Sequence, residues 1–302
     1  MPDPLPGSIV WPFAGLLILS LGLEQLLVPR PLLPWQRSVR VLMLHAGLCA
    51  LFFAPLLLLV QRPWFCSVSL VALQILVIMI SNAKYHSLHE PFIYQDFSYF
   101  IDALRFPRLY LPFLGVGRAL VAITAFCTAS YAGLVLEAPL SSVYSLRQIG
   151  SATLIMIGIG LLLVLLARSN RLRLTLDPVA DLQHLGLLAS LWGYYRAERQ
   201  PWQGQGASCF EQLPVVQHRQ QPNLVVIQSE SFFDPRRWLD GISPELLRNF
   251  DRLRHEAIAH GPLAVPAWGA NTVRTEYAFL SGIANQDLGI HRFKPYRTVS
   301  WS

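Results

Sequence analysis

A carboxylate flanked by two hydroxyls follows a short apolar run in the segment LVVIQSES, residues 224–231. The run is rich in β-branched residues and opens after Pro222 and Asn223, which predicts a buried strand. Ligands of open α/β sheets bind beyond the carboxyl ends of the strands, so we expect Glu230 to face such a crevice. A carboxylate there is a hard oxygen ligand suited to a divalent cation. A surface glutamate in the loop after a strand is the alternative interpretation.

A second reactive group stands about forty residues later, in WGANTVRTEYAFLSG. Thr272 lies where a Gly-Ala-Asn turn enters a predicted helix, close to unpaired N–H groups and the positive end of the helix dipole, which favour a phosphate. Coordination to a metal would lower the pKa of this hydroxyl and make it a nucleophile. The alternative is an ordinary helix cap by Asn271 or Thr272. A carboxylate after a strand and a hydroxyl at the start of a helix together favour a catalytic site with a metal ligand and a nucleophile.

The elements around these residues have an α/β pattern. We expect an amphipathic helix over residues 243–258, with Ser243 as its N-cap and Pro244 at its first position. A shorter helix carries Thr272 and ends at Gly282, a typical C-terminal glycine.

Membrane-spanning helices are predicted in the first half of the chain. Of the 302 residues, 53% are hydrophobic and only 14% charged, whereas soluble domains carry about 25% charge. Five apolar stretches predict spans; they cover residues 9–28, 41–60, 65–80, 119–136 and 149–167. Glu24 lies within the first, where an ionisable group must face protein or water, unless it lies near the interface.

We therefore divide the chain into a transmembrane domain (1–167), an interfacial connector (168–221) and a soluble α/β part (222–302). Residues 182–198 of the connector resemble an interfacial helix. The loop 81–117 contains His86, His89 and Glu90, but their order, HxxHE, differs from the HExxH zinc motif. Contact with a lipid headgroup or with the soluble part is favoured there.

The cysteines and the charge distribution argue against several kinds of site and partner. The four cysteines form no CxxC pair, so neither a disulfide framework nor a thiolate zinc site is supported. The net charge of +6 arises largely from arginines near span ends. No basic run interleaves with aromatic residues, so we expect no nucleic-acid partner.

PNLVVIQSESFFD and GANTVRTEYAFLSG together resemble the start of the catalytic domain of lipoteichoic acid synthase-like phosphoglycerol transferases, within the alkaline phosphatase–sulfatase superfamily. The five-span amino-terminal part and NAKYHSLHEPFIYQD fit the same family. The resemblance implies a polytopic helical membrane domain followed by a truncated α/β sulfatase-like domain.

The resemblance implies that Glu230 binds a divalent metal, Mn²⁺ or Mg²⁺ by preference and Zn²⁺ as an alternative. Thr272, also a metal ligand, would take a glycerophosphate group from a membrane phospholipid as a phosphothreonine and pass it to a glycan or polymer hydroxyl. Arg274, His291 and Arg292 would bind substrate. Arg274 replaces an acidic residue expected in the Gram-positive enzymes, which suggests a different acceptor or headgroup.

The family's other metal ligands, an Asp-His pair and further histidines, have no counterpart before residue 302. One carboxylate and one hydroxyl do not fill a four- to six-coordinate site. We expect the amino-terminal part of a longer enzyme, inactive by itself.

The resemblance places the protein in the bacterial inner membrane with the catalytic part on the periplasmic face. The loop arginines and lysines predict the reverse orientation. Phosphoethanolamine transfer, a sulfatase or phosphodiesterase reaction, and a non-catalytic scaffold remain as alternatives. Thr272 argues against a sulfatase, which needs Cys or Ser at that position.

Overall fold

The computed structural model describes residues 5–99, 133–167, 174–202, 223–229, 232–269 and 271–298, with isolated positions between 105 and 131. The described residues contain four helices long and apolar enough to cross a membrane. A helical membrane domain is therefore confirmed. The predicted span 119–136 lies almost entirely outside the described residues.

The first compact unit extends over Met1–Pro201 and the second over Trp202–Ser302. The four long helices of the first unit are α1 (Leu5–Leu23), α2 (Val39–Val60), α3 (Pro63–Leu88) and α4 (Leu146–Ala167). Two shorter helices follow, α5 (Pro178–Leu185) and α6 (Leu187–Glu198). The second unit contains α7 (Arg248–Glu256), α8 (Thr272–Ser281) and the single turn α9 (Pro295–Thr298).

Helices α2 and α4 approach each other closely at two glycines. A Cβ atom at Gly47 would lie 2.9 Å from the carbonyl oxygen of Gly160, and one at Gly160 would lie 3.1 Å from Cβ of Ala50. Small residues permit such backbone approach between membrane helices, where dispersion contacts drive association. Outward-facing side chains such as Leu59, 81% exposed, are apolar, as a hydrocarbon environment requires.

The segment after α3 folds back onto the helix it leaves. Lys84 donates to Glu90 at 2.8 Å and to Asp96 at 2.6 Å, and Asp96 also accepts from the Ile93 N–H. Burial raises the pKa of Asp96, although Lys84 opposes this effect. Glu90 of the HxxHE sequence is thus engaged by a lysine of the preceding helix, α3.

The predicted interfacial helix over residues 182–198 is two helices. Gly186 separates α5 from α6 with φ 75° and ψ 178°, a conformation essentially restricted to glycine. Asp177 caps α5 by accepting from the N–H groups of Val179 and Ala180. Asp181 accepts from the hydroxyl of Tyr194 at 3.1 Å and so joins the two helices.

No strand occurs among the residues that the structure describes, so the α/β part of the fold prediction is not supported. Leu224 and Ile227, predicted to lie in a buried strand, are 85% and 86% exposed. A strand needs a neighbouring strand to satisfy its N–H and C=O groups, and the described ranges of the second unit provide none.

The helix boundaries predicted in the second unit are largely confirmed. Ser243 accepts from the N–H of Glu245, and Pro244–Leu247 form a 3₁₀ turn that leads into α7. Helix α8 ends at Gly282, which has φ 66°. Tyr277, Ile283 and Leu288 form a small apolar cluster against Trp202.

We expect Gly47→Ala to destabilise the first unit by about 1–3 kcal/mol, because its methyl group would overlap a backbone carbonyl. Gly158→Ala on α4 is the control, since a Cβ there has no neighbour within 4 Å. The measurement is thermal unfolding in detergent. Unfolding is monitored by maleimide labelling of the buried thiols Cys49 and Cys66, in a protein whose Cys127 and Cys209 are replaced by Ser. Equal midpoints for both alanine variants would contradict the close α2–α4 contact.

Candidate functional site

Thr272 is the first residue of α8, and Glu230 lies outside the described residues. The N-cap residue Asn271 makes no side-chain hydrogen bond to the first turn, and its amide instead donates to the carbonyl of Trp268 at 3.3 Å. The Asn271 side chain therefore caps none of the first N–H groups of α8, although the Arg274 N–H donates to the Asn271 carbonyl at 3.1 Å. An anion is favoured at such a terminus.

Two of the three predicted substrate-binding residues meet at one aromatic ring. The guanidinium carbons of Arg274 and Arg292 lie 4.8 and 5.0 Å from the centre of the Phe293 ring. His291, which precedes Arg292 in the sequence, is buried, with 5% of its surface exposed. Arg274 follows Thr272 by two residues, about 200° around the helix, so the two side chains leave different sides of α8.

Glu276 shares the side of α8 that carries Thr272, because residues four apart are neighbours on a helix. Its carboxylate accepts a hydrogen bond from the Tyr296 hydroxyl at 2.7 Å. This bond raises the pKa of Tyr296 to about 12. The sequence signal for Glu276 is its i+4 spacing from Thr272, and our prediction did not use it.

A metal centre is not formed by the residues described. No three His, Cys, Asp or Glu side chains come together within the described ranges. One threonine hydroxyl does not hold a divalent cation, which takes at least four ligands. The metal prediction therefore depends on Glu230, and we derive no reaction step through a metal.

A buried ionic network in the first unit is the second notable site. Glu24 follows α1 and is 0% exposed. One of its carboxylate oxygens pairs with the guanidinium of Arg37. The other accepts from the N–H groups of Leu187 and Leu188, at 2.9 and 3.4 Å, at the start of α6.

Gly186 makes this arrangement possible. A Cβ atom at this position would overlap both the Arg37 guanidinium and the Glu24 carboxylate. Arg37 also donates from Nε to the carbonyl of Leu32 at 2.8 Å, and the Leu32 N–H donates to the carbonyl of Gln183 at 2.8 Å. The loop between α1 and α2 is thereby fixed to both α5 and α6.

The network continues from Glu24 into the helix bundle. His45 Nδ1 lies 3.7 Å from the Glu24 carboxylate, and His45 Nε2 shares a 2.9 Å hydrogen bond with the Ser20 hydroxyl. The amide of Gln74 donates to the Ser20 carbonyl at 2.9 Å. These contacts connect α1, α2 and α3 with polar side chains that are all buried.

Sequence reasoning singled out Glu24 and missed its partners. A charge in an apolar stretch requires a counter-charge, and Arg37 follows thirteen positions later. This signal could have suggested the pair. The approach of Leu187, 163 residues away, has no local sequence signal.

The chain is similar in sequence to a protein that acts in another organism. The chain is 26% identical over 269 residues to the capsular polysaccharide biosynthesis protein RkpI of Rhizobium meliloti (strain 1021). The match covers 82% of this chain and 48% of that protein, so the chain spans about half the length of its relative. No family model and no solved structure matches the chain.

We expect Glu276→Gln to lower the pKa of Tyr296 from about 12 towards the ordinary value near 10, because a neutral amide no longer favours the protonated phenol. The raised pKa in the folded protein means that the bond stabilises fully below about pH 10 and is lost as pH rises towards 12. Phenolate absorbance against pH measures this, with Tyr296→Phe to identify the signal. Superimposable curves for wild type and Glu276→Gln would contradict the bond.

We expect Glu24→Gln to destabilise the first unit by about 3–5 kcal/mol, because Arg37 would remain buried without a counter-charge. The double variant Glu24→Gln/Arg37→Gln removes both charges and should be less destabilised than the sum of the single variants. Thermal unfolding with labelling of Cys49 and Cys66 measures both. Additive losses would show that Glu24 and Arg37 do not act as a pair.

Proposed function

We propose that the protein acts in the biosynthesis of a cell-envelope polysaccharide, as a membrane-anchored transferase of phospho-headgroups. The donor would be a membrane phospholipid, the transferred group of the phosphoglycerol type, and the acceptor a glycan or polymer hydroxyl. Two observations support polysaccharide biosynthesis at a membrane: the similarity to a protein named for capsular polysaccharide biosynthesis, and the four apolar helices. The proposal includes the bacterial inner membrane, with the second unit on its periplasmic face.

The position of Thr272 is the observation that carries the chemical part of the proposal. Thr272 opens a ten-residue helix whose N-cap side chain, that of Asn271, makes no hydrogen bond to the first N–H groups. A phosphoryl oxygen would accept from these groups, which would place phosphorus beside the hydroxyl and stabilise negative charge as it develops.

Two displacements complete the transfer. The Thr272 oxygen bonds to phosphorus, the bond to the diacylglycerol oxygen breaks, and the threonine proton is passed on to that oxygen. The acceptor hydroxyl then bonds to phosphorus, the phosphothreonine ester breaks, and Thr272 regains a proton. Glu276, on the same side of α8, is suited to accept the proton in the first step.

Arg274 and Arg292, together on Phe293, would donate hydrogen bonds to the glycerol hydroxyls of the headgroup beyond the reacting phosphate. His291 remains a proposed phosphate contact. Glu230 remains the proposed ligand of Mn²⁺ or Mg²⁺, with Zn²⁺ as the alternative; such a cation supplies charge stabilisation and lowers the pKa of a bound hydroxyl.

A non-catalytic role in assembly is the second candidate function. The observation that favours it is the buried network of Glu24, Arg37 and the start of α6, which links the helices of the first unit. The buried ionic network would then serve only to hold a scaffold together.

Headgroup release from fluorescent phosphatidylglycerol, measured in nanodiscs with Mn²⁺ or Mg²⁺, separates the two functions. We expect Thr272→Ala to lower the rate on the order of a thousandfold or more, because the nucleophile is lost. Thr272→Ser should retain part of the activity, and Thr275→Ala, one turn along the same helix, is the matched control. Mass spectrometry should find glycerophosphate on Thr272.

Turnover that is unchanged in Thr272→Ala would exclude this nucleophile. No turnover by the wild-type chain under any of these conditions would favour the non-catalytic role.

A further inference from the structure

A cavity of about 350 Å³ lies within the first unit, between α1, α2, α3 and α6. Leu16, Cys49, Phe52 and Leu191 are among the apolar side chains that form its wall. The cavity is open on its outer side, since Phe52 and Leu73 of its wall are 59% and 57% exposed. In a membrane, the hydrocarbon of the bilayer would have access to it through this opening.

The wall of the cavity specifies an apolar occupant. Its polar side chains include Ser20 and Gln74, which are already engaged with the protein. The Ser20 hydroxyl shares its hydrogen bond with His45, and the Gln74 amide donates to the Ser20 carbonyl. A polar ligand would lose its bonds to water here without replacing them. The acyl chains of the surrounding bilayer are apolar and therefore suit this wall.

Aromatic side chains line one part of the cavity. Tyr94 lies 5.0 Å from Tyr195, and Trp192 lies 5.4 Å from Tyr195, measured between ring centres. Tyrosine and tryptophan concentrate at the level of lipid headgroups. The guanidinium of Arg199, 4.9 Å above the Tyr195 ring, adds a cation at the same place. An amphiphile with an apolar chain and an anionic head matches both features.

We propose that this cavity binds one acyl chain of a membrane phospholipid, with the lipid phosphate near Arg199. We infer a lipid rather than a segment of protein because Ser20 and Gln74 in the wall are already engaged with the protein, and the cation of Arg199 lies beside the aromatic side chains. The inference does not depend on the reaction at Thr272.

The test uses phosphatidylglycerol with a photoreactive diazirine in the middle of one acyl chain, incorporated into nanodiscs with the wild-type chain. After irradiation, mass spectrometry locates the labelled residues. We expect labels on wall residues of α1, α2 and α6, such as Leu16, Leu48 and Leu191. Labels spread evenly over outward-facing positions such as Leu59 would overturn the proposal.

Leu191→Trp should lower labelling of the cavity wall about tenfold, because each displaced methylene weakens binding about fourfold. Leu59→Trp is the matched control, since Leu59 is exposed on the outer side of α2. Arg199→Gln should weaken labelling by phosphatidylglycerol more than labelling by a diazirine-bearing diacylglycerol, which lacks the phosphate. Equal labelling of the wall in both tryptophan variants would also overturn the proposal.

The same lipid-labelling experiment with Thr272→Ala separates this site from the proposed reaction. Labelling unchanged in Thr272→Ala while headgroup release is lost would support both proposals independently. Wall labelling that is absent from wild type would refute the lipid site and leave the reaction to its own test.

Discussion

The buried carboxylate of Glu24 is the constraint on which the first unit depends. A charge in an apolar, membrane-spanning environment is costly unless its oxygens are fully paired. The protein meets this requirement from two directions, with the guanidinium of Arg37 on one oxygen and the N–H groups of Leu187 and Leu188 on the other. The end of α1, the loop before α2 and the start of α6 must therefore meet at one point, and only glycine fits at position 186.

This requirement has a consequence for the cavity. Leu187 and Leu188, whose N–H groups bind Glu24, are also part of the cavity wall, as is Ser20, one turn before Glu24 in the chain. The ionic network thus fixes the start of α6 relative to α1, beside Ser20 in the cavity wall. Packing alone would allow α6 to slide over an apolar surface, whereas a directional pair of hydrogen bonds does not.

The sequence predicts features that depend on local composition. Four spans follow from uninterrupted apolar stretches, and Ser243, Pro244 and Gly282 mark helix ends because each acts on its own turn. The strand expected at Leu224 and Ile227 is not supported, since strand formation depends on partners distant in sequence. The same reason explains why His45 and Leu187 could not be assigned to Glu24.

Helices α6 and α8 both begin with N–H groups that favour an anion, but the two helices differ in what accepts from these groups. At α6 a carboxylate of the protein itself accepts from the first N–H groups, so that terminus is already neutralised and has a structural role. At α8 the side chain of Asn271 turns to the Trp268 carbonyl, and the Asn271 side chain provides no acceptor for the first turn. A phosphate arriving at α8 would take the place that Glu24 has at α6. Helix α6 thus binds an internal anion that stabilises the first unit, whereas the start of α8 is where the proposed transfer reaction would take place.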